Sequence, residues 1–149
     1  MKPQPRVYIY NRKAKFNYFL MESYVTGIVL RGNEIKSIRN GGANMDDSYC
    51  TFENGELFIK NLHISPYKNA SAYQEYDPKR DRKLLLTKRE LRKLKQGVDI
   101  KGNTIIPYNL FTNENGLVKL EIYLAKGKHT YDKSQAIKER DLDREMKNF

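Results

Sequence analysis

The C-terminal stretch, residues 126–149, limits how much of this chain can fold into a domain. It holds seven Lys/Arg and five Asp/Glu but few apolar side chains. So polar a segment cannot bury enough apolar surface to fold alone. Its apolar residues Leu142, Met146 and Phe149 nevertheless have helical spacing. We therefore expect a folded body over residues 1–125 and a tail over residues 126–149. The tail should be disordered alone and helical on binding a polyanion.

Charge and composition favour nucleic acid as that polyanion. The net charge is +10 and the isoelectric point is about 9.6, which indicates an anionic partner. No stretch shows the broad apolar face of a membrane-surface helix, and no apolar run approaches the roughly 18 residues of a membrane span. Cys50 is the single cysteine, so an internal disulfide is excluded and a reducing compartment is favoured. We expect a cytoplasmic protein that does not bind membranes.

Alternating hydrophobicity predicts several long strands. Residues 18–30 read as one strand with a bulge at Gly27. Residues 44–62 read as a hairpin that turns at Asn54-Gly55, a dipeptide suited to a type I′ turn. A final hairpin covers residues 104–125, and its second arm alternates strictly.

Capping signals place short helices between these strands. Asn33 can cap a helix that ends at Arg39, Asp77-Pro78 can start a second, and Thr87 with Glu90 forms a capping box for a third. Residues 1–7 read as a flexible arm. Mainly β structure with about three short flanking helices predicts an OB-like closed antiparallel β-barrel. The alternative is an open α+β sheet.

Residues 79–95 form the densest basic stretch. They contain nine Lys/Arg and two acidic residues, a net charge of +7. Cations at this density would meet successive phosphates of a nucleic acid and release counterions. The alternative is a solvated helical face, but solubility alone needs less charge.

A second basic cluster is followed by aromatic residues. Asn11, Arg12 and Lys13 precede Tyr18 and Tyr24. Aromatic rings beside cations can stack on unpaired bases while the cations hold the backbone. The alternative is that these tyrosines pack, half-buried, on a strand.

Catalytic patterns are missing from the sequence. Cys50 and His63 have no third group or nucleophile motif, and Asp46-Asp47 reads as a turn rather than a two-metal site. No glycine-rich loop is suited to cradling phosphates. We expect a protein that is not an enzyme and that needs no cofactor or metal.

Several segments, in order, resemble the SsrA-binding protein family (small protein B), the protein partner of transfer-messenger RNA. They are Asn-Arg-Lys-Ala at 11–14, Gly-Asn-Glu-Ile-Lys-Ser-Ile-Arg at 32–39, Ala-Asn-Met-Asp-Asp-Ser-Tyr at 43–49, His-Ile-Ser-Pro-Tyr at 63–67, Asp-Pro-Lys-Arg-Asp-Arg-Lys-Leu-Leu-Leu at 77–86, Leu-Ala-Lys-Gly-Lys at 124–128 and Tyr-Asp-Lys at 131–133. The resemblance covers residues 8–149.

This resemblance implies a non-enzymatic factor for trans-translation, the rescue of stalled ribosomes. Such a factor is a monomer with an OB-like barrel that binds the tRNA-like domain of transfer-messenger RNA. It delivers that RNA to the stalled ribosome together with elongation factor Tu. Its tail then probes the empty mRNA channel and the decoding centre in the small-subunit rRNA. A structural, ribosomal-protein-like barrel with generic rRNA binding is the alternative.

The resemblance also implies site residues. Those expected to contact transfer-messenger RNA are Asn11, Arg12, Lys13, Tyr18, Glu34, Lys36, Arg39, Arg82, Lys83 and Leu85. Those expected at the ribosomal decoding centre are Lys126, Gly127, Lys128, Tyr131, Asp132 and Lys133. This chain departs from the family pattern at Val25, where an acidic residue is usual, at Thr87, in place of His or Asn, and at Ser134, in place of Arg.

Overall fold

The computed structural model describes residues 7–66 and 77–128. The strands are β1 (Tyr8–Tyr10), β2 (Tyr18–Ile28), β3 (Ala43–Asn44), β4 (Tyr49–Glu53), β5 (Glu56–Lys60), β6 (His63–Ile64), β7 (Arg82–Leu85), β8 (Asn103–Thr112) and β9 (Val118–Gly127). The helices are α1 (Ala14–Asn17), α2 (Gly32–Arg39) and α3 (Lys88–Val98). The predictions for the arm at residues 1–6 and for the tail beyond residue 128 concern residues outside the described part of the chain.

Seven strands form one antiparallel sheet, and two short strands form another. The order in the large sheet is β1-β8-β9-β2-β7-β5-β4, and β3 pairs with β6. Both predicted hairpins are present. β4 and β5 meet at Asn54-Gly55, and β8 and β9 pair along nearly their whole length. The protein is therefore mainly β with few helices, as its sequence predicts.

Closure of this sheet into a barrel is not confirmed. β1 and β4 stand at opposite ends of the strand order. β4 comes within 8 Å of β8, measured between Cα atoms, so the sheet curves around its core. β8 pairs with β1 and β9, however, and β4 pairs only with β5 in the described part of the chain. The sheet is therefore open between its edge strands.

The main core lies inside the curve of the sheet and is covered by α2 and α3. The alternation in β9 holds, because Val118, Leu120 and Ile122 are buried and Leu124 packs against the same cluster. Tyr24 and Cys50 join this core. A second, smaller cluster on the other face is built from Ala14, Ile106 and Ala125, with Tyr18, Leu20 and Tyr108 packed around it. The short helix α1, which no sequence signal indicates, covers that cluster.

The capping box predicted for α3 is confirmed. For α2 the predicted C-terminal end is confirmed, whereas the predicted cap at Asn33 is wrong. The Thr87 hydroxyl accepts a hydrogen bond from the Glu90 backbone N–H (3.1 Å), and the Glu90 carboxylate accepts from the Thr87 N–H (3.0 Å). Helix α2 ends before Gly41, whose φ of +76° suits glycine. Asn33 lies inside α2 rather than capping it. None of the helices within residues 7–66 and 77–128 is long and apolar enough to cross a membrane.

The prediction of a helix starting at Asp77-Pro78 was wrong. Asp77 instead accepts a hydrogen bond from the Lys79 backbone N–H (2.9 Å), which makes a turn, and the chain continues into strand β7. The burial of β7 alternates, with Arg82 and Leu84 inward. Burial of the Arg82 side chain, rather than local helix propensity, determines that this segment forms a strand.

The bulge predicted at Gly27 was also misplaced. In β2 the register shifts between Leu20 and Glu22. Gly27 is needed for a different reason: a Cβ there would lie 3.2 Å from the Cβ of Leu85 on the paired strand β7. The glycine thus permits close side-chain packing between two strands.

Replacing Thr87 tests the cap of α3. Thr87→Ala removes the hydroxyl acceptor, and we expect it to lower the free energy of unfolding by about 1 kcal/mol. Thr87→Ser keeps the acceptor and should stay close to wild type. Urea unfolding followed by circular dichroism measures both. Equal stability of the two variants would contradict the assigned cap.

Candidate nucleic-acid interface

A buried ion pair joins α2 to β7. Glu34, in the first turn of α2, and Arg82, at the start of β7, both have side chains with 0% exposure. The Glu34 Oε2 atom accepts from Arg82 Nε at 2.9 Å and from Nη2 at 2.5 Å. Two donors of one guanidinium thus converge on a single carboxylate oxygen, and such charge-assisted hydrogen bonds are stronger than those between neutral groups. It ties two elements that are 48 residues apart in sequence.

Additional hydrogen bonds satisfy the remaining donors of the buried arginine. Arg82 Nη1 donates to the Leu62 carbonyl (2.6 Å), and Nη2 donates to the Pro78 carbonyl (3.1 Å). Arg80 also donates to Glu34, with Nε at 3.1 Å from Oε2. One carboxylate therefore holds two guanidinium groups of the basic stretch, and the cluster carries a net positive charge.

The electrostatics of Glu34 reflect two opposing effects. Burial by itself raises the pKa of the carboxyl group. Hydrogen bonds from Arg80, from the Arg31 backbone N–H and from Arg82 outweigh burial and hold the pKa below its ordinary value of 4.5. Glu34 is therefore ionised at neutral pH and supports the folded state in that form.

This geometry bears on two of the residues expected to contact RNA. Glu34 and Arg82 face each other in the interior rather than the solvent. Direct RNA contact by either side chain stays a prediction. What the structure provides is a fixed attachment for residues 77–81, where Arg80 and the exposed Lys79 lie.

Five of the nine cations in residues 79–95 have carboxylate partners. Arg80 and Arg82 pair with Glu34, and three lysines pair with other carboxylates. The Nζ of Lys83 lies 2.7 Å from Glu56, that of Lys93 2.6 Å from Glu22, and that of Lys95 3.1 Å from Asp99. The exposed cations for which no ion-pair partner is seen among residues 7–66 and 77–128 are Lys79, Lys88, Arg89 and Arg92. Three of these four lie on α3, so this helix presents the least compensated positive charge of the stretch.

Three of the expected RNA-binding residues line one cleft. Asn11, Lys13 and Tyr18 border a cavity of about 400 Å³, together with Asp46 and Tyr49 from the segment that leads into β4. Asn11 is 6% exposed. Its amide donates to the Pro107 carbonyl (2.9 Å), so it holds the start of α1 to β8. Lys13 and the neighbouring Arg12 are exposed and can reach phosphates.

A second hollow continues this cleft toward the basic stretch. It measures about 290 Å³ and shares Asp46 and Asp47 with the first, and Asn61, His63 and Lys79 complete its lining. Asp46 and Asp47 border both hollows, and we refer to the two adjacent hollows together as the trough. Sequence patterns identified neither Tyr49 nor His63 as part of this trough, because only the pairing of β3 with β6 brings His63 beside Asn44.

The other expected site residues lie apart from the trough. Lys36 and Arg39 are exposed on α2, and Arg39 Nη2 donates to the Gly116 carbonyl at 3.1 Å, which links α2 to the β8–β9 turn. Leu85, half exposed, packs against Gly27. The structure thus distributes the expected RNA contacts over several surfaces.

The described part of the expected ribosome-binding segment continues strand β9. Lys126 pairs with Phe19 and Gly127 with Tyr18 in the β2–β9 ladder. The Lys128 backbone N–H donates to the Asn17 carbonyl (2.9 Å), and its Nζ lies 5.3 Å from the centre of the Phe19 ring. The end of β9 is therefore anchored beside α1. Tyr131, Asp132 and Lys133 lie outside the described residues.

Groups that could carry catalysis are poorly placed for it. Cys50 is buried, and burial raises the pKa of its thiol, which keeps the thiol protonated. Within residues 7–66 and 77–128, no three His, Cys, Asp or Glu side chains are grouped so that they could hold a metal ion.

Comparison with known proteins identifies the family. The model of the SmpB protein family matches residues 8–149. The chain belongs to the SmpB protein family. A relative from Bacteroides thetaiotaomicron, named SsrA-binding protein, is 52% identical over 143 residues, which cover 96% of this chain and 95% of the relative. The SsrA-binding protein of Persephonella marina is 54% identical over 136 residues, 91% of this chain and 88% of the relative.

A solved structure supports the same assignment. It is described as "tmRNA-SmpB: a journey to the center of the bacterial ribosome". Its fold matches with a TM-score of 0.70 and 44% sequence identity, covering 85% of this chain and 87% of the other. The SmpB family is known for RNA binding rather than for an enzymatic activity.

Glu34→Gln tests the role of the buried pair. The variant leaves two guanidinium groups without their carboxylate, and we expect a loss of about 3 kcal/mol in the free energy of unfolding at pH 7. Glu56→Gln removes the solvent-exposed partner of Lys83 and should cost less than about 1 kcal/mol. Urea unfolding of both variants gives the comparison, and equal effects would contradict a structural role for Glu34.

The same pair sets a pH dependence. Because the folded-state pKa of Glu34 is lowered, the unfolded chain binds its proton first as the pH falls, and stability is lost from about pH 4.5 downward. The stability difference between wild type and Glu34→Gln should therefore shrink on acidification. A difference that is constant from pH 7 to pH 3 would show that the Glu34 charge does not stabilise the fold.

Proposed function

We propose that this chain binds the tRNA-like domain of transfer-messenger RNA and delivers it to stalled ribosomes for trans-translation. The observation that carries this proposal is the 44% identity and matching fold to an SmpB described with tmRNA and the ribosome. The relatives named SsrA-binding protein support it over nearly the whole chain. The role is non-enzymatic, and its site is the cytoplasm.

The body of the protein supplies the RNA-binding surfaces in this proposal. The curved sheet serves as the OB-like scaffold. The trough lined by Lys13 and Tyr18, with exposed Arg12 beside it, and the exposed cations of α3 face the RNA. Glu34 and Arg82 position the segment that carries Arg80 and Lys79 rather than touching phosphates themselves. Elongation factor Tu accompanies the complex in delivery.

The tail supplies the ribosomal contact. Residues 129–149 follow directly on Lys128, which is held against Asn17 and Phe19. This anchor fixes where the tail leaves the body. Lys126, Gly127, Lys128, Tyr131, Asp132 and Lys133 engage the decoding centre, and the remaining tail occupies the empty mRNA channel as a helix.

Lys83→Ala tests the phosphate contact that we assign to β7. We expect weaker binding to the tRNA-like domain and a salt-dependence slope that is smaller by about one. Lys95→Ala is the matched control, because Lys95 is also an ion-paired lysine of the basic stretch but matches no segment of the family pattern. Fluorescence anisotropy at several salt concentrations measures both slopes. An unchanged slope for Lys83→Ala would exclude this contact.

Truncation after Lys128 tests the division of labour between body and tail. Because β9 and its contacts stay complete, the truncated protein should fold and bind the tRNA-like domain with nearly wild-type affinity. It should fail to support tagging of stalled nascent chains in a reconstituted translation reaction. Tagging at the wild-type rate by the truncated protein would overturn the proposed role of the tail.

A further inference from the structure

An aromatic row crosses the outer face of the large sheet, away from the main core. We give this name to the rings of Phe111, Tyr8, Tyr10, Tyr108 and Tyr123. The centroids of neighbouring rings lie 6.3 Å (Phe111–Tyr8), 6.5 Å (Tyr8–Tyr10), 5.6 Å (Tyr10–Tyr108) and 5.3 Å (Tyr108–Tyr123) apart. The first two pairs are nearly parallel, with interplanar angles of 11°. Three strands, β1, β8 and β9, contribute to this row.

The aromatic row depends on how β1, β8 and β9 are paired as well as on which residues are aromatic. Tyr8 lies directly opposite Phe111, whereas Ile9, between the two tyrosines of β1, packs against the core. The register of β8 against β9 shifts between Pro107 and Asn109. The extra residue of this bulge is Tyr108, and its ring contacts both Tyr10 and Tyr123.

Two of the five rings are half exposed although the rings contact one another. Tyr8 and Tyr10 are each 49% exposed. An edge strand that presents large half-exposed rings in sequence is costly in water and marks an interaction surface.

Two lysines lie beside rings of the row. Lys15 Nζ lies 5.7 Å from the centre of the Tyr108 ring. Lys119 is directly opposite Phe111 in the ladder, and the exposed Arg12 and Lys13 precede the helix that carries Lys15. Glu121 lies on the same face of β9, and it borders a hollow together with Glu114, Tyr8 and Phe111. The charge beside the rings is therefore mixed, and the lysines are the groups that can meet phosphates.

We propose that the aromatic row is a stacking surface for unpaired bases of RNA. Planar rings with cations at their edge hold single strands because each base offers a π-face and each nucleotide a phosphate. This inference rests on the proposed function and adds a surface separate from the trough at Lys13 and the cations of α3. A second copy of this chain is a less favourable occupant, because a net charge of +10 on each copy would bring like charges together.

Paired substitutions test the stacking surface. Tyr8→Leu/Tyr10→Leu removes two rings, whereas Tyr8→Phe/Tyr10→Phe keeps them and removes only the hydroxyl groups. For a short unpaired RNA oligonucleotide, we expect the leucine variant to bind about tenfold more weakly than wild type and the phenylalanine variant to bind within about twofold. Leu117→Ser is the control for loss of an exposed apolar side chain outside the row, with 56% exposure in the wild type. It should leave the affinity unchanged.

A second measurement locates the contact without relying on affinity. Crosslinking of wild-type protein to a 5-iodouridine-substituted oligonucleotide, followed by mass spectrometry, should identify Tyr8 or Tyr10. Unchanged affinity of the leucine variant, or crosslinks confined to other surfaces, would overturn the stacking surface. So would a wild-type dimer that the leucine variant converts to a monomer.

The same proteins separate this inference from the proposed function. If wild type binds the tRNA-like domain and the leucine variant binds both RNAs with wild-type affinity, the stacking role of the aromatic row is refuted and the proposed function is not. Failure of wild type itself to bind the tRNA-like domain would refute the proposed function.

Discussion

The buried pair between Glu34 and Arg82 is the interaction on which the arrangement of the binding surfaces depends. Two charges in the interior are unfavourable unless each is fully hydrogen-bonded, and here carbonyls of Leu62 and Pro78 and the guanidinium of Arg80 complete the network. The pair thus locks α2, the end of the β5–β6 connection and the entry to β7 in one geometry. β7 lies within the basic stretch at residues 79–95, so a carboxylate in the interior fixes how that stretch enters the sheet.

Ion pairing also distinguishes cations whose charge is partly compensated from cations that keep their full charge. Lys83, Lys93 and Lys95 have carboxylate neighbours, and such exposed pairs contribute little stability. They do, however, lower the local charge. Lys88, Arg89 and Arg92 on α3 keep their full charge at the surface. In the proposed complex the phosphates meet these cations, while rings on the outer sheet face meet unpaired bases.

The sequence predicted those parts that local patterns determine. The strict alternation of Val118, Leu120 and Ile122 defined β9, and the capping box at Thr87 defined the start of α3. The segment after Asp77 was misread because its local helix signals compete with burial of Arg82, a long-range effect. The aromatic row could not be predicted from the sequence, because its rings are brought together by the β1–β8 register and by the bulge at Tyr108. Helix α1 was missed because four residues carry too little periodicity.

Binding to the tRNA-like domain of transfer-messenger RNA, titrated at several salt concentrations against excess elongator tRNA, tests the central claim most directly. A phosphate-binding surface of generic affinity would release the RNA to the competitor, and its binding would fall steeply with salt. We predict tight binding that survives the competitor. Binding that elongator tRNA abolishes would contradict it and would reduce the protein to a basic scaffold with generic RNA affinity.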